Sequence, residues 1–121
     1  MKRRLVLTTA LLAPSWAWAH EPRVGPHGGT LVDAGSYHIE ISLKGTLVEV
    51  YISDTADRPV PAAGFKGTAI LAIDGTSHRI VLAPVNGNLL IGQSPVSSND
   101  PPKGAVLLIA PDGKTAQAKL N

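Results

Sequence analysis

Tyr37-His38-Ile39-Glu40-Ile41-Ser42-Leu43-Lys44 alternates apolar and polar residues without a break. Successive side chains on a strand point to opposite faces. The run therefore predicts a half-buried strand, with Tyr37, Ile39, Ile41 and Leu43 inward and His38, Glu40, Ser42 and Lys44 outward. Gly45 follows, and Leu47 to Ile52 reads as a second strand rich in β-branched residues, so the two runs predict a hairpin around Lys44-Gly45. Residues 54–64 are polar, carry Pro59 and Pro61, and read as a loop. Beyond it, Gly67 to Ile73 and Ser77 to Ala83 are strands joined at Asp74-Gly75, a pair that tolerates the positive φ of a tight hairpin turn. Asn86-Gly87-Asn88 is a further turn, Leu89 to Gly92 a short strand, and residues 94–104 a loop rich in Ser, Pro and Asn. Ala105 to Ala110 and Thr115 to Leu120 close the chain around Asp112-Gly113. No amphipathic helix is visible. The expected fold is all-β, a small antiparallel β-sandwich or barrel-like domain of about seven strands.

Before the alternating run, the N-terminus has the three-part plan of a secretory signal. Lys2, Arg3 and Arg4 supply the positive start, Leu5 to Ala13 the apolar stretch, and Ala17-Trp18-Ala19 the small residues that a signal peptidase reads. A spanning helix needs about 20 apolar residues, and Pro14 ends this stretch sooner. The expectation is a signal peptide at 1–19, an extended arm at 20–29 and a single β domain at 30–121, exported to the periplasm with no stable membrane insertion. General and twin-arginine export both stay open.

Cleavage would change the charge. Three of the 11 Lys and Arg lie at positions 2–4, which leaves eight against nine Asp and Glu and a formal net charge of −1 from residue 20 onward. That argues against nucleic-acid binding through a basic face. The chain has no cysteine, so it lacks a thiolate for catalysis, and its one methionine is Met1. There is no Gly-x-Ser-x-Gly elbow, phosphate-cradling glycine loop or His-Glu-x-x-His helix, and the reading is of a protein that is not an enzyme. Asp54 and Asp57 could form a carboxylate pair, but both sit in a polar loop where carboxylates cap turns.

The histidines carry the chemistry. Cleavage after Ala19 would make His20 the first residue, where its α-amine and imidazole can chelate one ion. His27 lies in Pro26-His27-Gly28-Gly29, whose glycines let the backbone bend and bring another segment or a ligand close. His38 and Glu40, two residues apart on a strand, share a face roughly 7 Å apart. They could share a metal ion with a third group from the arm, or lie on a solvated face and pair with each other. Glu49 is opposite in phase to Val48, Val50 and Ile52 and could face the same side as Glu40, and His78 beside Asp74-Gly75 reads as a capping or partly buried histidine. The site expectation is a divalent transition metal, copper(II) or zinc foremost and nickel or cobalt also open, held by some of His20, His27, His38 and Glu40.

Pro26-His27-Gly28-Gly29, Tyr37-His38-Ile39-Glu40, Val48-Glu49-Val50-Tyr51-Ile52-Ser53-Asp54, Arg58-Pro59-Val60, Gly67-Thr68-Ala69 and Leu82-Ala83-Pro84 follow one another in an order that resembles a known family. It comprises small periplasmic domains of bacterial heavy-metal resistance, found alone or near the N-termini of adaptor subunits of heavy-metal efflux pumps. The resemblance implies a β-rich module that binds or hands over transition-metal ions, and it marks His27, His38 and Glu40. A fainter likeness, resting on His20 and fold class, is to periplasmic copper carriers of the copper-resistance type. The functional expectation is periplasmic metal buffering or delivery to an efflux system. Its alternative is a metal-free module that docks on an envelope or efflux-pump partner.

Overall fold

The computed structural model describes residues 23–121, and the expected signal peptide and His20 lie outside them. Eight strands form one antiparallel sheet that curls into a half-barrel: β1 (Arg23–Val24), β2 (Thr30–Ala34), β3 (Tyr37–Asp54), β4 (Lys66–Ile73), β5 (Thr76–Pro84), β6 (Leu89–Ser98), β7 (Gly104–Ile109) and β8 (Thr115–Lys119). Their spatial order is β1-β2-β3-β6-β5-β4-β7-β8. The all-β expectation holds. Among the described residues no helix is long and apolar enough to cross a membrane.

The curl follows from the alternation. Ile39, Ile41, Val48, Val50, Ile52, Leu71, Ile80, Leu90, Val106 and Leu108 all point to the concave side and are buried. Bending the sheet around them closes one apolar core, and Phe65 meets Tyr37 edge-on with ring centroids 5.4 Å apart. At the far margins β2 approaches β8: a Cβ on Gly35 would lie 3.1 Å from that of Ala116.

The hairpin expected at Lys44-Gly45 does not form. Tyr37 to Asp54 is one 18-residue strand. Gly45 takes φ +64°, and the register shifts between Gly45 and Leu47, so the strand bends there without reversing. The Gly45 amide is satisfied by Asn99 Oδ1 at 3.0 Å. The bend lets one strand serve two neighbours: its first part pairs with β2, Tyr37 opposite Ala34 and Ile41 opposite Thr30, and its second with β6, Leu47 opposite Gln93 and Tyr51 opposite Leu89. The Asp74-Gly75 hairpin does form, with both residues at positive φ.

The arm also differs from an extended segment. Val24 and Arg23 pair with Thr30 and Leu31 of β2, and the chain between them reverses tightly. Gly28 N donates to Gly25 O at 3.0 Å and Gly25 N to Gly29 O at 2.9 Å. Gly28 has φ +83°, a conformation that side chains with a Cβ rarely adopt. This reversal lays residues 25–29 on the outer face of β3, over Glu40.

Candidate functional site

Glu40 occupies an outward position on β3, yet it is only 3 % exposed because the arm covers it. Its carboxylate collects three donors from that arm. Oε2 accepts from the backbone N–H of His27 at 2.8 Å and of Gly29 at 2.7 Å. Oε1 lies 2.8 Å from His27 Nδ1. Hydrogen bonds to an ionised acceptor are roughly twice as strong as neutral ones, so this buried anion anchors the arm. The space is matched to it: a Cβ on Gly25 would overlap the Glu40 carboxyl carbon, and one on Gly29 would come within 2.8 Å of Ile41 O.

A carboxylate has only acceptor sites, so its pairing with Nδ1 places the His27 proton there. Nε2 is then left with its lone pair. The imidazole stacks on Tyr51, with centroids 3.7 Å apart and planes within 3°. Tyr51 projects from the same face of β3 and covers one side of the ring, while the His27 side chain stays 49 % exposed. Burial pushes the Tyr51 hydroxyl above the usual tyrosine pKa, and the negative charges of Glu49 and Glu40 push it further. Beyond the register shift at Gly45, Glu49 and Tyr51 fall on the outer side of β3 with Glu40. A hollow of about 350 Å³ opens beside the ring, lined by His27, Tyr51, Ser53, Asp57 and Pro59 among others.

His38 takes a different partner set. Its Nδ1 lies 3.0 Å from Asp57 Oδ1 and its Nε2 3.3 Å from Asp33 Oδ1. The two carboxylates stand at opposite nitrogens of one ring, so a single ion cannot replace both contacts. The expected pairing of His38 with Glu40 is replaced by separate partner sets, Asp33 and Asp57 for His38 and the arm for Glu40. Asp57, at φ +63°, belongs to the loop after β3. Asp54 caps that loop as expected: its Oδ1 accepts from the amides of Ala56 and Arg58, both at 2.9 Å, and its Oδ2 from Arg58 Nε at 2.9 Å. The Arg58 amide is the main reason its carboxyl is held below the usual carboxylate range. Asp57 does not cap; it reaches back to His38. His78 is half-buried on β5, as expected for that position.

Of the four residues singled out in the sequence, the structure brings His27 and Glu40 into contact, places His38 one inter-residue step along the same strand face, and leaves His20 outside the described residues. Among the described residues no three His, Asp or Glu side chains gather where one ion could sit. Tyr51 and Asp57 join the site without having been marked as candidates for it. The stacking of Tyr51 could have been suspected, because Tyr51 shares its phase with Glu49 and lies on the face that the arm covers. No family model, curated protein or solved structure matches the chain.

Proposed function

We propose that the protein binds a divalent transition-metal ion, copper(II) or zinc foremost, at the His27 imidazole, in the periplasm, for buffering or delivery to an efflux system. One observation carries this reading: the 2.8 Å contact between His27 Nδ1 and the buried Glu40 carboxylate. Metal-binding histidines commonly donate their second ring N–H to a carboxylate, which sets the tautomer and raises the basicity of the ligating nitrogen. Tyr51 holds the ring plane, and Nε2 is the atom left for the ion. Glu40 is then an orienting group and not itself a ligand, since its oxygens already accept three hydrogen bonds. A transition-metal site wants about three protein ligands or more. His20, with its α-amine and imidazole if the chain is cleaved before it, is the group proposed to complete the set; His38 would join only by releasing one of its two carboxylate partners. The process is ligand exchange, with no bond made or broken in a substrate.

The test is calorimetric titration of zinc(II) and copper(II) into the chain recovered from the periplasm. His27→Ala should abolish tight binding, and Glu40→Gln should weaken it by about 10–100-fold, the usual effect of losing such a supporting carboxylate. Wild-type affinity in His27→Ala would place the site elsewhere.

A second reading is favoured by the same carboxylate. Glu40 is satisfied by three donors of the arm itself, so Pro26-His27-Gly28-Gly29 can serve as a latch that shapes a metal-free docking module. Partner binding that survives a chelator and His27→Ala would select it.

A further inference from the structure

The convex face of β5, β4, β7 and β8 is unlike the usual solvent face of a half-buried sheet, which is polar. Register places Val81, Thr68, Leu107 and Gln117 in one row across four strands, and Arg79, Ile70, Ala105 and Lys119 in the next. Ile109 stands opposite Lys66. Val81 is 72 % exposed and Ile109 42 % exposed, with Ile70 and Leu107 half-buried between them. The four strands contain no Asp or Glu, whose nearest members sit in the turns at Asp74 and Asp112. Lys66, Arg79 and Lys119 frame the apolar strip, and among the described residues none of them is in an ion pair. The carboxylates Asp33, Glu40, Glu49, Asp54 and Asp57 lie on β2, β3 and the following loop instead.

We propose that this convex face docks an acidic amphipathic helix of a partner protein. Strands about 4.8 Å apart make the face roughly 15 Å wide, which accommodates one helix of about 10 Å diameter. The apolar side of the helix would cover Val81, Ile70, Leu107 and Ile109, and flanking carboxylates would meet Lys66, Arg79 and Lys119. A second copy docked through the same face would set these three cations against themselves, because a two-fold interface pairs like patches. A lipid surface fits less well, since the strip has none of the Trp or Tyr that populate membrane interfaces. The inference gives a place and a chemistry to the docking reading, and it needs no metal. Failure here leaves the His27 titration untouched, and failure of that titration leaves this surface untouched.

The probe is a synthetic amphipathic helix of about 18 residues, five turns, with Leu on one side and Glu on the other, and a twin with Lys for Glu. Each is titrated into the isotope-labelled full chain from residue 20 and followed by amide and methyl NMR shifts. The Glu peptide should move the resonances of Ile70, Val81, Leu107 and Ile109, and the Lys twin should need on the order of tenfold more peptide to do so. Val81→Asp, at an exposed position, should remove the shifts while the spectrum stays folded. Lys66→Glu with Arg79→Glu and Lys119→Glu should weaken binding on the order of tenfold, because exposed charge pairs each contribute little. Equal binding of both peptides, shifts confined to other strands, or no shifts at all would overturn the proposal. So would self-association through this face, or capture by phosphatidylglycerol vesicles that the Glu peptide cannot displace.

Discussion

Removing the Glu40 carboxylate should unlatch the arm before it unfolds the domain. In Glu40→Ala the amides of His27 and Gly29 and the His27 ring lose their acceptor. Hydrogen bonds to charged groups are worth about 1.5–3 kcal/mol each, so three would sum to more than the arm can hold. The arm escapes the full cost by detaching, because its donors then find water. The loss is bounded by the difference between docked and free arm, which we place at about 2–4 kcal/mol. For a domain near 100 residues, a loss of that size lowers Tm by on the order of 10 °C or more. Glu40→Gln should be milder, about 1 kcal/mol: the amide oxygen can keep both backbone donors while the NH₂ group faces Nδ1. That arrangement also moves the imidazole proton to Nε2, so a metal ion must displace it, which weakens binding at that nitrogen. Hydrogen exchange read residue by residue is the assay. Protection at the His27 and Gly29 amides should fall by about 100-fold in Glu40→Ala, the factor for roughly 3 kcal/mol, with β4 and β7 amides falling less. Unchanged protection at His27 and Gly29 would refute the latch.

Three further outcomes follow from the same contacts. Gly25→Ala pushes a methyl into a carboxyl group fixed by three hydrogen bonds, so it should cost about 1–3 kcal/mol and loosen the arm much as Glu40→Ala does, as read by exchange at Gly29. Asp54 has its folded pKa lowered, chiefly by the Arg58 amide, so its contribution is present above the usual carboxylate pKa and lost as pH falls through the folded value. Acid titration of the Ala56 and Arg58 amide shifts should show this step, and Asp54→Asn should lack it. Tyr51 has its folded pKa raised, so its contribution is present below the usual tyrosine pKa and lost as pH rises through the folded value. Ultraviolet difference titration in a Tyr37→Phe background should show late ionisation, and Glu49→Gln should bring it earlier.

Much of the fold was legible because its signals are local. Alternation marked the inward residues of β3, and Asp74-Gly75 and Asp112-Gly113 marked two hairpins, since a tight turn needs residues that accept unusual φ. Lys44-Gly45 misled for a related reason. Glycine at positive φ serves a bend as well as a reversal, and only the long-range partners, β2 before Gly45 and β6 after it, decide between them. The expected seven strands and the observed eight differ by offsetting changes: two expected strands are one, and β1 and β2 are added. β6 runs on to Ser98 through residues that read as loop, with Ser94 Oγ accepting the Val96 amide at 3.1 Å. The burial of Glu40 was beyond local reading. Its phase is outward, and it is covered only because Gly25, Gly28 and Gly29 let a segment eleven or more residues upstream fold over it. The partners of His38 were hidden likewise, because Asp57 reaches it from a loop 19 residues away.

In the proposed site His27 Nε2 receives a metal ion while Glu40 holds Nδ1–H. Long-range nitrogen NMR of the histidine side chains, recorded as zinc(II) is added to the chain beginning at His20, tests it atom by atom. Zinc should bring a large shift of His27 Nε2 with Nδ1 still protonated, and in Glu40→Gln the shift should need about 10–100-fold more zinc. A His27 ring whose nitrogens do not respond to zinc, or one metallated at Nδ1 with Glu40 displaced, would contradict it.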